Sequence, residues 1–153
     1  MFYPPKFKKM DDCIFCKISR GELPASKVYE DDSVMAFMDI RPVNPGHVLI
    51  VPRTHAKNIT EVPLETAGKM FQLAKRLHSA LLKCELQAEG SNFLLSNGAV
   101  AGQEVFHAHL HVIPRRENDG LKITFPEREA PLDSMDSIKK SAAILKNSLL
   151  AEQ

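Results

Sequence analysis

The stretch Phe106-His107-Ala108-His109-Leu110-His111-Val112-Ile113-Pro114-Arg115 constrains the fold most. Three of the six histidines in the chain stand there two residues apart, separated by alanine and leucine. In a strand, a period of two puts all three rings on one face, roughly 6.5 to 7 Å apart, and turns Phe106, Ala108, Leu110 and Val112 the other way, into a core. A helix would scatter the same rings around its surface. Three aligned imidazoles either chelate a transition metal or supply a nucleophile with flanking donors for an anionic substrate. The approach to them, Asn97-Gly98-Ala99-Val100-Ala101-Gly102-Gln103-Glu104, is rich in small residues, so backbone N–H groups can close on phosphate oxygens. That favours a phosphate ester over a bare metal centre.

The rest of the chain supplies strands and helices around this stretch. Alternation in Lys27–Glu30 and Ser33–Met38 predicts two strands of a hairpin about Asp31-Asp32, with Asp39 and Ile40 on the way out. Pro42-Val43-Asn44-Pro45-Gly46 is turn chemistry that delivers a buried-strand run, His47–Val51. Pro63 opens a long amphipathic helix whose apolar positions Ala67, Met70, Ala74, Leu77, Leu81 and Cys84 recur at steps of three and four, with His78 on its flank. Asn92–Ser96 reads as a strand after Gly90. A last helix carries Met135, Ile138, Ala142, Leu145 and Leu149 on one side. The expected class is α+β, helices packed on an antiparallel sheet.

With 153 residues, 20 basic against 19 acidic and 44% apolar content, one compact domain is expected. We divide the chain into a flexible N-terminal extension (1–10), the domain (11–118) and a C-terminal extension with a helix (119–153). A net charge of +1 gives no footprint for nucleic acid, and Lys6, Lys8 and Lys9 read as a solvated tail. No apolar run has the length of a membrane span, and the start lacks the apolar stretch of a secretory signal, so an intracellular, cytoplasmic protein is expected. Three cysteines in such a chain argue for reduced thiols, and Cys84 is expected to be buried. The Cys13-x-x-Cys16 spacing suits a redox pair or half of a zinc site. With no apolar strand before it, the thioredoxin-like reading is the weaker.

His107-Ala108-His109-Leu110-His111-Val112-Ile113 resembles the H-x-H-x-H-x-x signature, with hydrophobic x, of the histidine triad (HIT) family. Cys13–Ile18, Val28–Asp32, Ala36–Ile40, Pro45-Gly46-His47 and Pro52–His55 extend the resemblance from about Asp12 to Arg115. It implies a five-stranded antiparallel sheet with a long central helix, and symmetric homodimers in which two sheets become continuous. It also implies a purine nucleotide-binding hydrolase of the adenosine 5'-monophosphoramidase type. Such an enzyme cleaves the α-phosphate linkage of AMP-type substrates through a nucleotidyl-histidine, without a catalytic metal. The dinucleoside polyphosphate-cleaving branch of the family is an alternative, as is a purine-nucleotide-binding interaction protein with incidental turnover.

The resemblance also assigns roles by position. His109 would be the nucleophile, flanked by His111 and His107, with His47 supporting the triad from the adjacent strand. Ile14, Phe15 and Phe37 would line the base site, Ile40 would also belong to the nucleotide site, and Asp39 would accept from the ribose hydroxyls. Asn97, Gly102, Gln103, Glu104 and Val105 would surround the α-phosphate. Cys13, Cys16, His55 and His107 would close a structural zinc site. One departure bears on the substrate: Glu104 stands where many nucleotide phosphoramidases of the family have a serine that donates to the leaving group, and an ionised carboxylate only accepts.

Overall fold

The computed structural model describes residues 12–125 and 133–152. The expected N-terminal extension, 1–10, lies outside the described residues. From the start, the chain forms a short helix α1 (Ile14–Ser19), strands β1 (Lys27–Glu30), β2 (Val34–Met38) and β3 (Val48–Pro52), and the long helix α2 (Leu64–Leu81). Strands β4 (Gly90–Leu94) and β5 (Leu110–Arg115) and a helix α3 (Met135–Ala151) follow. The five strands form one antiparallel sheet in the order β1-β2-β3-β5-β4.

Both faces of this sheet are covered, which explains why β2 and β3 read as nearly unbroken apolar runs. Val34, Ala36, Val48, Ile50, Leu110 and Val112 turn to one face and pack against Met70, Leu73, Ala74 and Leu81 of α2. Their neighbours Met35, Phe37, Leu49 and Val51 turn to the other and pack against Cys13, Phe15, Cys16 and Ile18. The N-terminal C-x-x-C is therefore a lid on the face of the sheet opposite α2.

Three expectations need correction. The triad strand begins at Leu110, not Phe106, so only His111 lies on a ladder strand. The residues before it are held off the ladder by Ala108 N–H donating to the Ala56 carbonyl at 2.7 Å, and Phe106 is only half-buried. The strand read as Asn92–Ser96 runs from Gly90 to Leu94 instead. Cys84 is exposed: α2 ends at Leu81, one turn before the apolar stripe does, and the thiol donates to the Leu81 carbonyl at 3.6 Å.

Gly46 closes the turn into β3. Its φ is +95°, and a Cβ there would stand 2.9 Å from methyl carbons of both Leu81 and Leu86. Backbone strain and overpacking thus add, and Gly46→Ala is expected to cost about 1–3 kcal/mol of stability. Urea unfolding checks this, and a midpoint equal to that of the wild type would contradict it.

The structure divides into two units, one ending at Leu121 and one starting at Lys122. Taken by itself, the second contains α3, whose N-terminus is capped by Ser134 Oγ accepting from Ser137 N–H at 3.1 Å. Met135, Ile138, Leu145 and Leu149 are exposed. Among the described residues, no helix is long and apolar enough to cross a membrane.

Candidate functional site: four histidines with fixed protons

The face of the sheet under α1 gathers the histidines. His107 and His109 are buried at the mouth of β5, and His111 faces Leu49 of β3 and Leu94 of β4. His47 is buried just before β3. The rings of His109 and His111 lie 5.0 Å apart, closer than an ideal strand would place them, and those of His47 and His111 5.2 Å. Phe15 stands edge-on to His109 at 5.3 Å and tilted against Phe37 at 5.5 Å.

Backbone groups decide which nitrogen of each ring carries the proton, because a carbonyl only accepts and an N–H only donates. His109 Nδ1 lies 2.7 Å from the His107 carbonyl, so Nδ1 donates and Nε2 keeps a free lone pair. His107 Nε2 lies 2.8 Å from the Pro52 carbonyl, so it donates there and Nδ1 is the free nitrogen. Val43 N–H donates to His47 Nδ1 at 3.2 Å. The proton of a neutral His47 therefore sits on Nε2, which donates to His111 Nδ1 at 2.9 Å. His111 is left with an N–H at Nε2. The result is a bare nitrogen on His109 beside an N–H donor on His111, while the bare nitrogen of His107 faces the cysteines.

Burial holds His47, His107 and His111 below their ordinary range and so favours their neutral forms. Burial pushes His47 below its ordinary range, opposed by the Asp39 carboxylate, whose Oδ2 lies 3.7 Å from His47 Nε2. Burial, reinforced by His109 and His47, lowers His111 to about 4. The folded value lies below the unfolded one, so the folded protein binds fewer protons between about pH 4 and 6.5. The contribution of this ring to stability is therefore full above pH 6.5 and lost as pH falls toward 4. Wild type should lose up to about 1.4 kcal/mol per pH unit more than His111→Gln over that window. Urea titrations at pH 7 and pH 5 check it; parallel slopes would contradict it.

The Cys13, Cys16, His55 and His107 donor atoms lie within 4.8 Å of one another. The Cys13 and Cys16 sulfurs stand 3.4 and 3.5 Å from His107 Nδ1, and Cys16 Sγ stands 3.3 Å from His55 Nδ1. Tetrahedral zinc with ordinary bond lengths separates its sulfur and nitrogen ligands by about 3.6 Å, so the donor set fits that metal closely. His107 offers Nδ1 because the Pro52 carbonyl holds its other N–H, the usual outer support of a metal-bound imidazole. Burial and the Cys13 thiol beside it push Cys16 up to about 11, so the Cys16 thiolate needs a cation to exist at neutral pH. Asp39, His47 and His111 form a second such cluster, but there the facing nitrogens share a proton.

The other predicted residues divide. Phe15 and Phe37 are buried, Ile14 is 43% exposed and Ile40 88% exposed, so any base contact from the last two would come from the rim. Asp39 Oδ1 accepts from Arg41 N–H at 2.8 Å, a turn cap that leaves Oδ2 toward His47. Gln103 is buried and its amide is used inside the loop: Oε1 accepts from Gly98 N–H, and Nε2 donates to the Lys57 and Val105 carbonyls. Asn97 Oδ1 accepts from Ile59 N–H at 3.0 Å, leaving its amino group for a ligand. Gly98 and Gly102 adopt φ of +89° and +85°, which only glycine takes without strain, and they bracket the short turn at Ala99–Ala101. Glu104 is exposed, and Val105 packs on the cluster that holds Phe15 and Phe37. Sequence reasoning missed Val43 and Pro52, whose contributions are backbone groups and leave no side-chain signal.

The family model for the HIT domain matches residues 20–118. An uncharacterized HIT-like protein of Methanocaldococcus jannaschii is 47% identical over 115 residues, covering 75% of this chain and 88% of its own. Adenosine 5'-monophosphoramidase HNT1 of Saccharomyces cerevisiae is 38% identical over 129 residues, 84% of this chain and 78% of its own. Among solved structures, a HIT family protein from Bacillus anthracis superposes with a TM-score of 0.83 at 40% identity, covering 92% of this chain and 99% of that one. A zinc-bound histidine triad family protein from Mycobacterium smegmatis gives 0.70 at 41% identity, covering 78% and 86%. A match that takes in the whole sheet, together with relatives this similar over most of its length, makes the chain a member of the histidine triad family.

Proposed function

We propose that this chain is a nucleotide hydrolase that cleaves the α-phosphate linkage of purine nucleoside 5'-phosphoramidates and related AMP derivatives through a nucleotidyl-His109. The observation that carries the reading is the fixed tautomer of His109, which points an unprotonated Nε2 out of a ring anchored by a backbone carbonyl. The name of the yeast relative supports an AMP amide as the substrate type.

In the first step a bond forms between Nε2 and phosphorus as the bond to the leaving group breaks, and the departing nitrogen or oxygen takes the electron pair and a proton from solvent. In the second, water attacks phosphorus and gives up a proton to solvent, the P–N bond to His109 breaks, and Nε2 recovers its lone pair as the nucleoside monophosphate leaves. His111 Nε2–H and the Gly102–Val105 backbone stabilise charge on the phosphoryl oxygens, a task in which one donor is worth on the order of 3 kcal/mol. His47 keeps that donor aimed by holding His111 Nδ1. Phe15 and Phe37 wall the base, and Asp39 meets the ribose.

A zinc ion held by Cys13, Cys16, His55 and His107 would have four protein ligands and no open position, so it would serve structure and not chemistry. Purified protein assayed with an AMP amide, a dinucleoside polyphosphate and AMP itself tests the reading. Turnover of the amide, with AMP as product, is expected. Tight AMP binding with no turnover of either substrate would replace the enzyme with a nucleotide-binding protein.

A further inference from the structure

We propose that Asn44 is a positioning residue for this site: its side-chain amide, clamped to the end of β5, fixes the turn whose Val43 N–H sets the proton positions of His47 and His111. The inference rests on the hydrolase reading above and adds to it the residue that keeps the phosphoryl-oxygen donor in place.

The turn from Pro42 to His47 needs an anchor outside itself, because the prolines at 42 and 45 carry no N–H with which to tie it down. The β3–β5 ladder has already ended at Val48 and Val112. Asn44 continues the connection past that point with both hydrogens of its amino group: Nδ2 donates to the Pro114 carbonyl at 2.8 Å and to Asp119 Oδ2 at 2.9 Å. Its own carbonyl accepts from His47 N–H at 3.1 Å, and the residue before it, Val43, donates to His47 Nδ1. Asp119 is itself held, by Arg115 Nε and Nη2 at 2.6 and 2.8 Å and by the Arg116 and Leu121 N–H groups. The Arg115 guanidinium, with those N–H groups and Asn44, keeps the Asp119 carboxyl below the usual carboxylate range, so it accepts throughout the working pH. Arg115 also reaches Asn92, which fastens the clamp to β4 as well as β5.

The two rings meet through one hydrogen, so one backbone donor decides for both. While Val43 N–H occupies His47 Nδ1, His47 donates from Nε2, His111 accepts at Nδ1, and the His111 hydrogen stays on Nε2 beside His109. Were that N–H to swing away, His47 could carry its hydrogen on Nδ1 and present a bare Nε2. His111 would then donate through Nδ1, leaving a lone pair at Nε2 where the phosphoryl oxygens need a donor. Full loss of such a donor is worth about 100-fold or more in kcat. Loosening the turn lets only part of the population cross over, so a smaller fall is expected.

Asn44→Ala is the test, read by proton–nitrogen correlation spectra of the imidazole rings and by steady-state kinetics on an AMP amide. Wild type should show His47 and His111 as Nε2–H tautomers. Asn44→Ala should add the Nδ1–H form at both and lower kcat about tenfold, with AMP affinity within about twofold of wild type. In a His47→Ala background the same substitution should cost nothing further, because the ring it acts through is gone. Leu73→Ala, in the core on the α2 face of the sheet, is the control for lost stability: it should lower the melting temperature and leave tautomers and kcat as they are. Should Asn44→Ala not fold, Asp119→Asn, which keeps the shape but removes the charge that Asn44 faces, gives the same readings with a smaller shift. Tautomers unchanged in the folded variants would overturn the inference whatever the activity. So would shifted tautomers with an unaltered kcat, or the same shift in Leu73→Ala. No turnover by the wild type would overturn the hydrolase reading by itself, and the tautomers would still decide whether Asn44 sets the donor.

Discussion

His109→Ala is expected to lower kcat/KM for an AMP amide by about ten-thousand-fold or more, since removing a covalent nucleophile alone can cost on the order of a million-fold. The neighbouring rings cannot take over, because their protons are committed. His111 Nε2 carries a hydrogen as long as His47 donates to its Nδ1, and the free nitrogen of His107 faces the cysteines. His47→Ala should act through His111 and cost less, about ten- to hundredfold, since it removes the partner that fixes the donor and not the nucleophile. AMP affinity measured by calorimetry separates binding from chemistry. If His109→Ala turned over at a tenth of the wild-type rate or faster, another group would be the nucleophile.

Cys16→Ser is expected to strip the metal and to lower the melting temperature by about 10 °C, the loss of at least about 3 kcal/mol of metal-linked stability in a domain of this size. The Cys16 sulfur faces both histidine donors, so its removal opens the site from two sides at once. The Cys13, Cys16, His55 and His107 cluster and the proposed nucleophile meet at one residue. His107 offers Nδ1 to the cysteines, and its carbonyl holds the His109 N–H. Loosening of α1 should therefore reach catalysis, with a fall in kcat of about tenfold on top of the lower stability. Zinc near one equivalent in wild type, well below one in Cys16→Ser, and a lower melting temperature is the expected set. Equal melting temperatures with zinc absent from both proteins would remove the metal from the account.

Much of this was legible in the chain because two-sided burial leaves a plain signature. Val48–Val51 reads as a buried strand since α1 and α2 cover opposite faces; Ser33–Met38 reads as an alternating hairpin strand, although Val34–Phe37 is covered on both faces too; and the helix stripe from Ala67 to Leu81 reads correctly because its residues meet one flat face. What failed did so where local periodicity gave way to a tertiary bond. The period of two in the triad predicts a continuous strand, but Ala108 bonds Ala56 and holds the first two histidines off the ladder. Cys84 continued the stripe on paper after the helix had already ended. The candidate residues came from motif and resemblance, and the structure brings His47, His107, His109 and His111 to one face of the sheet. Their division of labour was not legible, because the proton positions depend on the backbone of His107, Pro52 and Val43, which no residue type announces.

The most direct measurement is a rapid acid-to-base quench of enzyme mixed with an AMP amide carrying phosphorus-32, followed by peptide mapping under the alkaline conditions in which phosphohistidine survives. The account predicts one labelled peptide, with adenylate on His109 at Nε2, and none from His109→Ala. A single turnover that releases AMP with no label on protein, or label on His107 or His111, would contradict it.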